Sequence, residues 1–336
     1  MIGAELLVAV GYGRVGNEVS LMCSLFDVVE GKRLVGVRYD GGVDQLPAMM
    51  DRFADEIMKA VTGERSVFST MIAFVSTASG KKEIMLMRYD GSNVRALTNR
   101  NDICLYPAWS QNGELLAYTT YVNRRPVVML HSQRGGSGRV AVGKPGVNIT
   151  PAFQPGSGYL AVAMSHTGKT NIFLNDQTGR ELRQLTNGWG IEVAPTFSPD
   201  GGRMAFVSDR GGSPQIYVMD LNSGQISRLT YGLKYCAAPD WSPKGNLIAF
   251  QAEINGVFQI CTIRPDGGDL RVLTRGMTAS EEPSWSPDGR LIAYSGRQTG
   301  QYQIYVITYE GLPIKRLTNL SGNQTDPAWS PAGVVK

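Results

Sequence analysis

The chain has 336 residues, of which 42% are hydrophobic and only 18% are charged, and its formal net charge is +4. No long run of Lys and Arg accompanies this charge, so the sequence lacks the basic footprint of a nucleic-acid-binding protein. No stretch of about eighteen apolar residues is available to cross a membrane. The 40 glycines and 17 prolines, spread along the chain, indicate many turns and therefore many short strands.

The first motif along the chain is "VAVGYGRVG", whose glycines between Gly11 and Gly16 have the G-x-G-x-x-G spacing of a dinucleotide-binding loop. Asp27 stands at about the distance of a ribose-binding acid. That fingerprint requires a helix directly after the glycines. Apolar residues instead recur at every second position from Val19 to Leu25, which is strand spacing. The pattern favours a glycine-rich connection between two strands over a nucleotide site.

Residues 1–65 contain three strand-like runs and then one helical pattern. Apolar residues mark one face of that helix: Leu46, Met50, Phe53, Ile57 and Val61. Asp44 is the expected N-cap and Gly63 the expected stop. The sequence therefore predicts a small α/β domain over residues 1–65.

The rest of the chain repeats every 44 residues. The recurring "PxWSPDGxxIAY" pattern begins at prolines spaced 44 apart: Pro107, Pro151, Pro195, Pro239, Pro283 and Pro327. A second series, of the form "RLT", ends at Thr98, Thr186, Thr230, Thr274 and Thr318, and its missing copy has degenerated to "RVAV". Four short strands in a unit of this length are typical of a β-propeller blade.

The two ends of the repeat region complement each other. "IAFVS" at Ile72 matches the second strand of a unit, and the final "PAWSP" from Pro327 matches a first strand. Joined, they make one complete blade, which closes the ring without a free sheet edge. We therefore expect a mainly β fold, a six-bladed propeller over residues 66–336 that follows the small α/β domain.

Nothing in the sequence assembles an enzyme site. "GRVAVGKPG" opens like a phosphate-binding loop, but Pro145 stands where a magnesium-binding Ser or Thr is needed. His131 and His166 are the two imidazoles of the chain, and no G-x-S-x-G elbow is present. We expect no catalysis, no cofactor and no bound metal.

Other conspicuous residues have structural explanations. Trp109, Trp241, Trp285 and Trp329 share one repeat position and are predicted to pack between blades. The Asp-Gly pairs beginning at Asp200, Asp266 and Asp288 are predicted hairpin turns. Cys23, Cys104, Cys236 and Cys261 lack C-x-x-C spacing, so neither a zinc site nor a disulfide is expected.

The repeats "WSPDGxxIAY…QIYV…RLT", together with the connector "TGERSVFSTMIAFVS", resemble the TolB family of the Tol–Pal system. The resemblance covers nearly the whole chain. It implies a periplasmic protein of Gram-negative envelopes that binds the peptidoglycan-associated lipoprotein Pal through its propeller, binds TolA through its N-terminal end, and supports outer-membrane integrity and cell division.

The N-terminal part departs from the family pattern. The opening "MIGAELLVAV" has neither the charged start nor the cleavage site of a signal peptide. The family also has further α/β sequence before this point, so the N-terminal domain is predicted to be truncated and TolA binding is doubtful for this chain. We expect a monomer with no membrane span.

The predicted docking face lies where the fourth strand of one blade leads into the first strand of the next. These loops open around the central channel, and their sequences differ while the strands stay uniform. The predicted Pal-contacting residues share this repeat position: Val147, Asn148, Thr150, Glu192, Val193, Tyr235, Glu281, Glu282 and Asp326. We expect a small apolar centre inside an acidic rim. The alternative is a propeller that gates a hydrolase or binds a small molecule or peptide.

Overall fold

The computed structural model describes residues 5–64 and 66–334. The chain separates into two compact units. One comprises Met1–Thr70 together with Ala332–Lys336, and the other comprises Met71–Pro331. In the described ranges, no helix is long and apolar enough to span a membrane.

The first unit is an antiparallel meander with one helix. Its strands are β1 (Leu6–Val15), β2 (Glu18–Asp27) and β3 (Lys32–Gly42), paired in the order β1-β2-β3. A 3₁₀ turn at Val43–Gln45 leads into α1 (Leu46–Thr62). The three strand-like runs and the helix predicted for this region are all present.

The glycine motif is part of this meander. Gly11 and Gly13 lie inside β1, where they pair with Met22 and Ser20 of β2, and only Gly16 lies in the turn, with φ of +63°. The predicted glycine-rich connection is therefore shorter than expected. A strand, and no helix, follows the glycines, so the arrangement needed to hold a pyrophosphate is not formed.

The buried face of α1 is rotated from the predicted one. Met49 and Phe53 are fully buried against β2 and β3, whereas Met50 and Val61 are 41% and 50% exposed. The predicted stop at Gly63 is confirmed, because this glycine is left-handed and its N–H bonds to Lys59 O. Asp44 is not the N-cap, since it lies within the preceding 3₁₀ turn.

The second unit contains the repeats. In its described part we number six four-stranded antiparallel sheets as blades one to six. Blade one contains β4 (Met71–Ser76), β5 (Glu83–Arg88) and β6 (Arg95–Ala96). Blade two contains β7 (Cys104–Trp109), β8 (Leu115–Val122), β9 (Arg125–Ser132) and β10 (Arg139–Val142). Blade three contains β11 (Asn148–Phe153), β12 (Leu160–Met164), β13 (Asn171–Asn175) and β14 (Glu181–Gln184).

The remaining blades follow the same pattern. Blade four contains β15 (Glu192–Phe197), β16 (Arg203–Ser208), β17 (Gln215–Asp220) and β18 (Ile226–Arg228). Blade five contains β19 (Cys236–Trp241), β20 (Ile248–Ile254), β21 (Val257–Ile263) and β22 (Arg271–Val272). Blade six contains β23 (Ala279–Trp285), β24 (Leu291–Arg297), β25 (Gln303–Thr308) and β26 (Pro313–Arg316). The last strand, β27 (Gln324–Trp329), joins blade one.

The predicted ring closure is confirmed. β27 pairs antiparallel with β4, so that Gln324 lies opposite Ser76 and Trp329 opposite Ile72. Ser330 extends the link, because its N–H bonds to Met71 O at 2.8 Å. The final strand thereby completes the sheet that begins more than 200 residues earlier.

The recurring threonine of "RLT" has a structural role. In five blades its buried hydroxyl accepts the N–H of the isoleucine that lies in the third strand, at 2.8–3.0 Å, as Thr230 does for Ile216. Thr230 then donates to Gln215 at 2.8 Å. Each threonine thus fixes the fourth strand to the third, which explains the regular spacing of the series. In blade two the "RVAV" copy forms β10, whose register shifts between Val140 and Val142.

The predicted packing and turn roles are also observed. Trp241, Trp285 and Trp329 are 5–7% exposed, and Trp109 is half-buried. The Asp-Gly pairs form hairpin turns: in the first of them Asp200 accepts the Gly202 N–H at 3.0 Å. The Ser198 hydroxyl, which also donates to Asp200, lowers the pKa of this carboxyl.

Candidate docking face at the channel mouth

The first strands of the six blades contact one another around the ring, which makes them the innermost strands. Each shows the same irregularity, a shift in register against the second strand of its blade. At each shift one residue has a left-handed backbone, with φ between 48° and 56°, and we call these six the bulge ring: Tyr106, Thr150, Ala194, Ala238, Glu282 and Asp326. They are 44 residues apart.

A left-handed conformation is uncommon for residues other than glycine. Its sixfold repetition identifies a constraint of the architecture, because a bulge bends the strand and redirects one side chain. Three of the predicted site residues, Thr150, Glu282 and Asp326, belong to the bulge ring. The sequence repeat placed them in one phase, and the structure shows that they share one backbone geometry.

Side chains of the bulge ring also connect neighbouring blades. The Ala194 N–H bonds to Thr150 Oγ1 at 3.0 Å, and the Asp326 N–H bonds to Glu282 Oε2 at 2.6 Å. Where Ala238 offers no acceptor, the Glu282 N–H bonds instead to Gln251 Oε1 at 2.9 Å. These polar side chains therefore link adjacent blades at the bulge.

The acidic residues of the predicted rim are more enclosed than expected. Burial and the neighbouring charge of Asp326 raise the pKa of Glu282 to about 8, and burial raises the pKa of Asp326 to about 6. Glu282 also accepts the Ser295 hydroxyl at 2.7 Å. Glu281 accepts the phenol of Tyr302, whose pKa is raised to about 12 by burial and by this bond.

Two predicted contact residues are fully buried. Glu192 pairs with Arg210, and its side chain has no exposed surface. Asn148 is also buried, where its amide donates to Lys144 O at 2.7 Å and to Pro126 O at 3.1 Å. The expectation that these two side chains face a partner is therefore corrected, because they hold the loops from inside.

The other predicted residues lie on loop and strand positions that remain partly accessible. The Val147 N–H bonds to Ser165 Oγ at 2.8 Å, and Val193 packs half-buried against the core between blades four and five. The Tyr235 ring meets Phe258 edge-on, with centroids 5.4 Å apart. The predicted apolar centre therefore stays a prediction. The acidic rim is divided, because Glu192 and Asp326 are buried whereas Glu281 and Glu282 are half-buried.

The same loops expose three large apolar residues that the sequence reasoning missed. Trp189 is 89% exposed, Tyr231 is 67% exposed and Ile191 is 56% exposed. The Lys169 ammonium lies 3.7 Å from the centre of the Trp189 ring, and the Arg228 guanidinium lies 4.9 Å from that of Tyr231. We call Trp189, Ile191 and Tyr231 the aromatic patch.

A signal for the aromatic patch was available in the sequence. Trp189 lies six residues before Pro195, and Tyr231 lies eight residues before Pro239. Both fall outside the repeat positions that pack between blades. The predicted docking face comprises the few residues around and directly before each proline, and both aromatics lie farther from it along the chain.

The two histidines interact with neighbouring groups, and the four cysteines are buried. His166 lies 3.0 Å from Glu181 and packs on Phe173, while His131 Nδ1 lies 2.9 Å from Ser132 O. All four cysteines are buried with free thiols. Burial raises the pKa of the Cys261 thiol to about 12, and Cys236 shares its core cluster. Within the described residues, no group of three or more His, Cys, Asp or Glu side chains is arranged to hold a metal ion.

Comparisons with known proteins agree with this architecture. The Tol-Pal system protein TolB of Geobacter sulfurreducens is 45% identical over 114 residues, which are 34% of this chain and 26% of that protein. Its counterpart in Desulfosudis oleivorans is 42% identical over 120 residues, 36% of this chain and 27% of that protein. Each match thus spans about a quarter of the relative.

A solved structure extends the comparison to the whole fold. TolB from Acinetobacter baumannii superposes with a TM-score of 0.82 at 26% identity, covering 98% of this chain and 84% of that one. A family model described as "TolB beta propeller domain" matches residues 58–333. Because this match includes most of the sequence, the chain belongs to the TolB β-propeller family.

Proposed function

We propose that this chain is a periplasmic, non-catalytic docking protein of a Tol–Pal envelope system, which binds the lipoprotein Pal at the channel mouth and so supports outer-membrane integrity and cell division. The family membership and the names of the curated relatives support a TolB role. The docking surface is assigned to the mouth because of the aromatic patch, in which Trp189 is 89% exposed. Exposed aromatic side chains are typical anchors of protein interfaces.

The geometry favours the mouth over the opposite end of the ring. Loops before the innermost strands differ between blades, whereas each innermost strand keeps the same bulge. A rigid scaffold that carries variable loops is a common arrangement for binding. Val147, Val193 and Tyr235 add partly accessible apolar surface to the aromatic patch.

The charge at this surface differs from the predicted acidic rim. Lys169 and Arg228 lie over exposed aromatic rings, while Glu192 is neutralised by Arg210 inside the protein. A partner surface with carboxylates around an apolar centre would match this arrangement. We therefore expect Pal to present acidic side chains to the aromatic patch.

Calorimetric titration with the purified soluble domain of Pal tests this proposal. Trp189→Ala removes an exposed ring that contributes little to folding, so it should weaken binding at least tenfold, about 1.4 kcal/mol, without lowering stability. Thr150→Arg and Val193→Arg should weaken binding by a similar factor, because they place bulk and charge at the mouth.

The matched control lies at the other end of the blades. Asp200→Arg changes the turn between β15 and β16, which is away from the mouth, and should leave the affinity unchanged. Loss of binding in this control, with normal binding by Trp189→Ala and Val193→Arg, would show that the docking face has been misplaced.

A further inference from the structure

The first unit exposes an unusual amount of apolar surface. Half of the large apolar side chains that are exposed in the described residues lie in this unit, although it is by far the smaller of the two. They concentrate on β1, whose ten residues are all exposed. Leu7 and Tyr12, for example, are each more than half exposed. Large exposed apolar patches on soluble proteins mark interaction surfaces.

One face of β1 continues the apolar face of the sheet on which α1 packs. Residues that lie opposite each other in an antiparallel pair have their side chains on the same face. Val8 lies opposite Leu25 and Val10 lies opposite Cys23, and both of these β2 residues are buried in the core cluster beneath α1. That cluster contains no residue of β1. The apolar face of the sheet therefore extends beyond the area that α1 covers.

The backbone edge of β1 is also open. Among the described residues β1 pairs only with β2, so every second residue directs its N–H and C=O groups away from the sheet. Strand edges are usually guarded by charged side chains, by proline or by a bulge. β3, at the other edge, shifts its register against β2 and carries four charged residues, Lys32, Arg33, Arg38 and Asp40. β1 pairs without a shift, and its one charged residue is Arg14.

We propose that β1 pairs with β1 of a second copy of this chain, in an antiparallel dimer with twofold symmetry. The occupant of the edge must be a β-strand, because only a strand supplies partners for the whole row of open N–H and C=O groups. A second copy brings such a strand with an equally uncovered apolar face. Because β3 is guarded, pairing ends at two copies and gives a closed dimer instead of a fibre. This assembly differs from the monomer expected from the sequence.

The sequence of β1 is suited to pairing with itself. A twofold axis normal to the sheet keeps both α1 helices on one face, so residues that point to the same face must lie opposite each other. With Val10 of the two copies opposite each other on the axis, Val8 lies opposite Tyr12 and Leu6 lies opposite Arg14. No like charges face each other in this register, and a β-branched residue opposite an aromatic one stabilises a sheet. The uncovered apolar faces of the two strands then adjoin between the helices.

Sedimentation equilibrium of the full chain over a wide concentration range tests this proposal. The parent should reach the mass of two chains. Val10→Lys places two ammonium groups opposite each other on the axis, so it should weaken dimerisation at least tenfold, since like charges directly opposite destabilise strand pairing. Met22→Lys is the matched control, because Met22 is exposed on the other face of β2, one strand away from the edge, and this variant should dimerise normally.

Cross-linking tests the register. All four native cysteines are buried, so Val10→Cys adds an accessible thiol on the axis. Oxidation should link two chains of Val10→Cys and leave Met22→Cys unlinked on a non-reducing gel. Equal Tm values for Val10→Lys and the parent at a concentration where both are monomeric would exclude unfolding as the cause of a lost dimer.

A monomeric parent at every concentration, assemblies larger than two chains, or unchanged dimerisation of Val10→Lys would overturn the proposal. A monomer would assign the β1 edge to a strand of another protein instead. The proposal does not depend on the docking function proposed for the mouth, and none of these outcomes bears on Pal binding there.

Discussion

We expect the closed ring of blades to depend on Trp329, the last residue of β27. This side chain is 7% exposed and lies in the strand that completes blade one. Its N–H bonds to Ser284 Oγ of blade six at 2.9 Å, so the residue joins two blades as well as two ends of the chain. The substitution Trp329→Ala removes the buried ring while the backbone pairing is retained.

The expected cost follows from this burial. Replacing a buried aromatic ring by alanine typically lowers the free energy of unfolding by about 3–5 kcal/mol. For a domain of this size each kcal/mol shifts the Tm by about 2–4 °C. Trp329→Ala should therefore lower the Tm by roughly 6 °C or more.

Trp189→Ala is the matched control, because the same ring is removed from an 89% exposed position. The contact with the Lys169 ammonium is lost, and such a contact is worth about 0.5–1 kcal/mol at an exposed site. Thermal unfolding followed by far-UV circular dichroism measures both variants. Equal Tm values for the two would refute the inference that the buried Trp329 ring stabilises the closed ring of blades.

Three further predictions concern other parts of the chain. The unfolded, unreduced protein should titrate four free thiols, and a count of two would reveal a disulfide. Glu282 favours its protonated form in the folded state, so its contribution to stability is complete below about pH 4 and is lost as the pH rises toward its pKa of about 8. Between about pH 5 and about pH 8 the Tm of the parent should therefore fall relative to the Tm of Glu282→Gln, because glutamine does not titrate. A constant Tm difference over this range would contradict the raised pKa of Glu282. Asp55 accepts the Ser69 N–H at 3.0 Å and the Ser66 hydroxyl. Asp55→Ala should therefore lower the free energy of unfolding by about 1–3 kcal/mol and speed amide hydrogen exchange at Ser69. Unchanged exchange at Ser69 would show that these bonds do not order the segment.

The fold was largely predictable because the signal repeats. Packing between blades requires an aromatic residue near the end of the first strand, and the fourth strand is fixed by a threonine such as Thr230. The same requirements recur in most blades, so they leave a 44-residue period that can be counted. The helix of the first unit had no such redundancy, and its buried face was misplaced onto Met50 and Val61.

The candidate site was less predictable. The shared repeat position grouped Thr150, Glu282 and Asp326, but it carried no information about how far each side chain is buried. Glu192 is buried in an ion pair with Arg210, which lies in the loop after β16 of the same blade. Trp189 is 89% exposed in the loop before β15, and neither property can be read from the residue types alone.

By itself the amino-acid sequence determined the number of blades, the strand that closes the ring and the turns between strands. These features depend on local chemistry that is repeated along the chain: proline, Asp-Gly turns and alternating apolar residues. Only the tertiary structure decided which polar groups are enclosed and which aromatics face solvent. Burial and charge pairing arise from contacts between residues far apart in sequence, and these contacts exist only once the blades have packed into a ring.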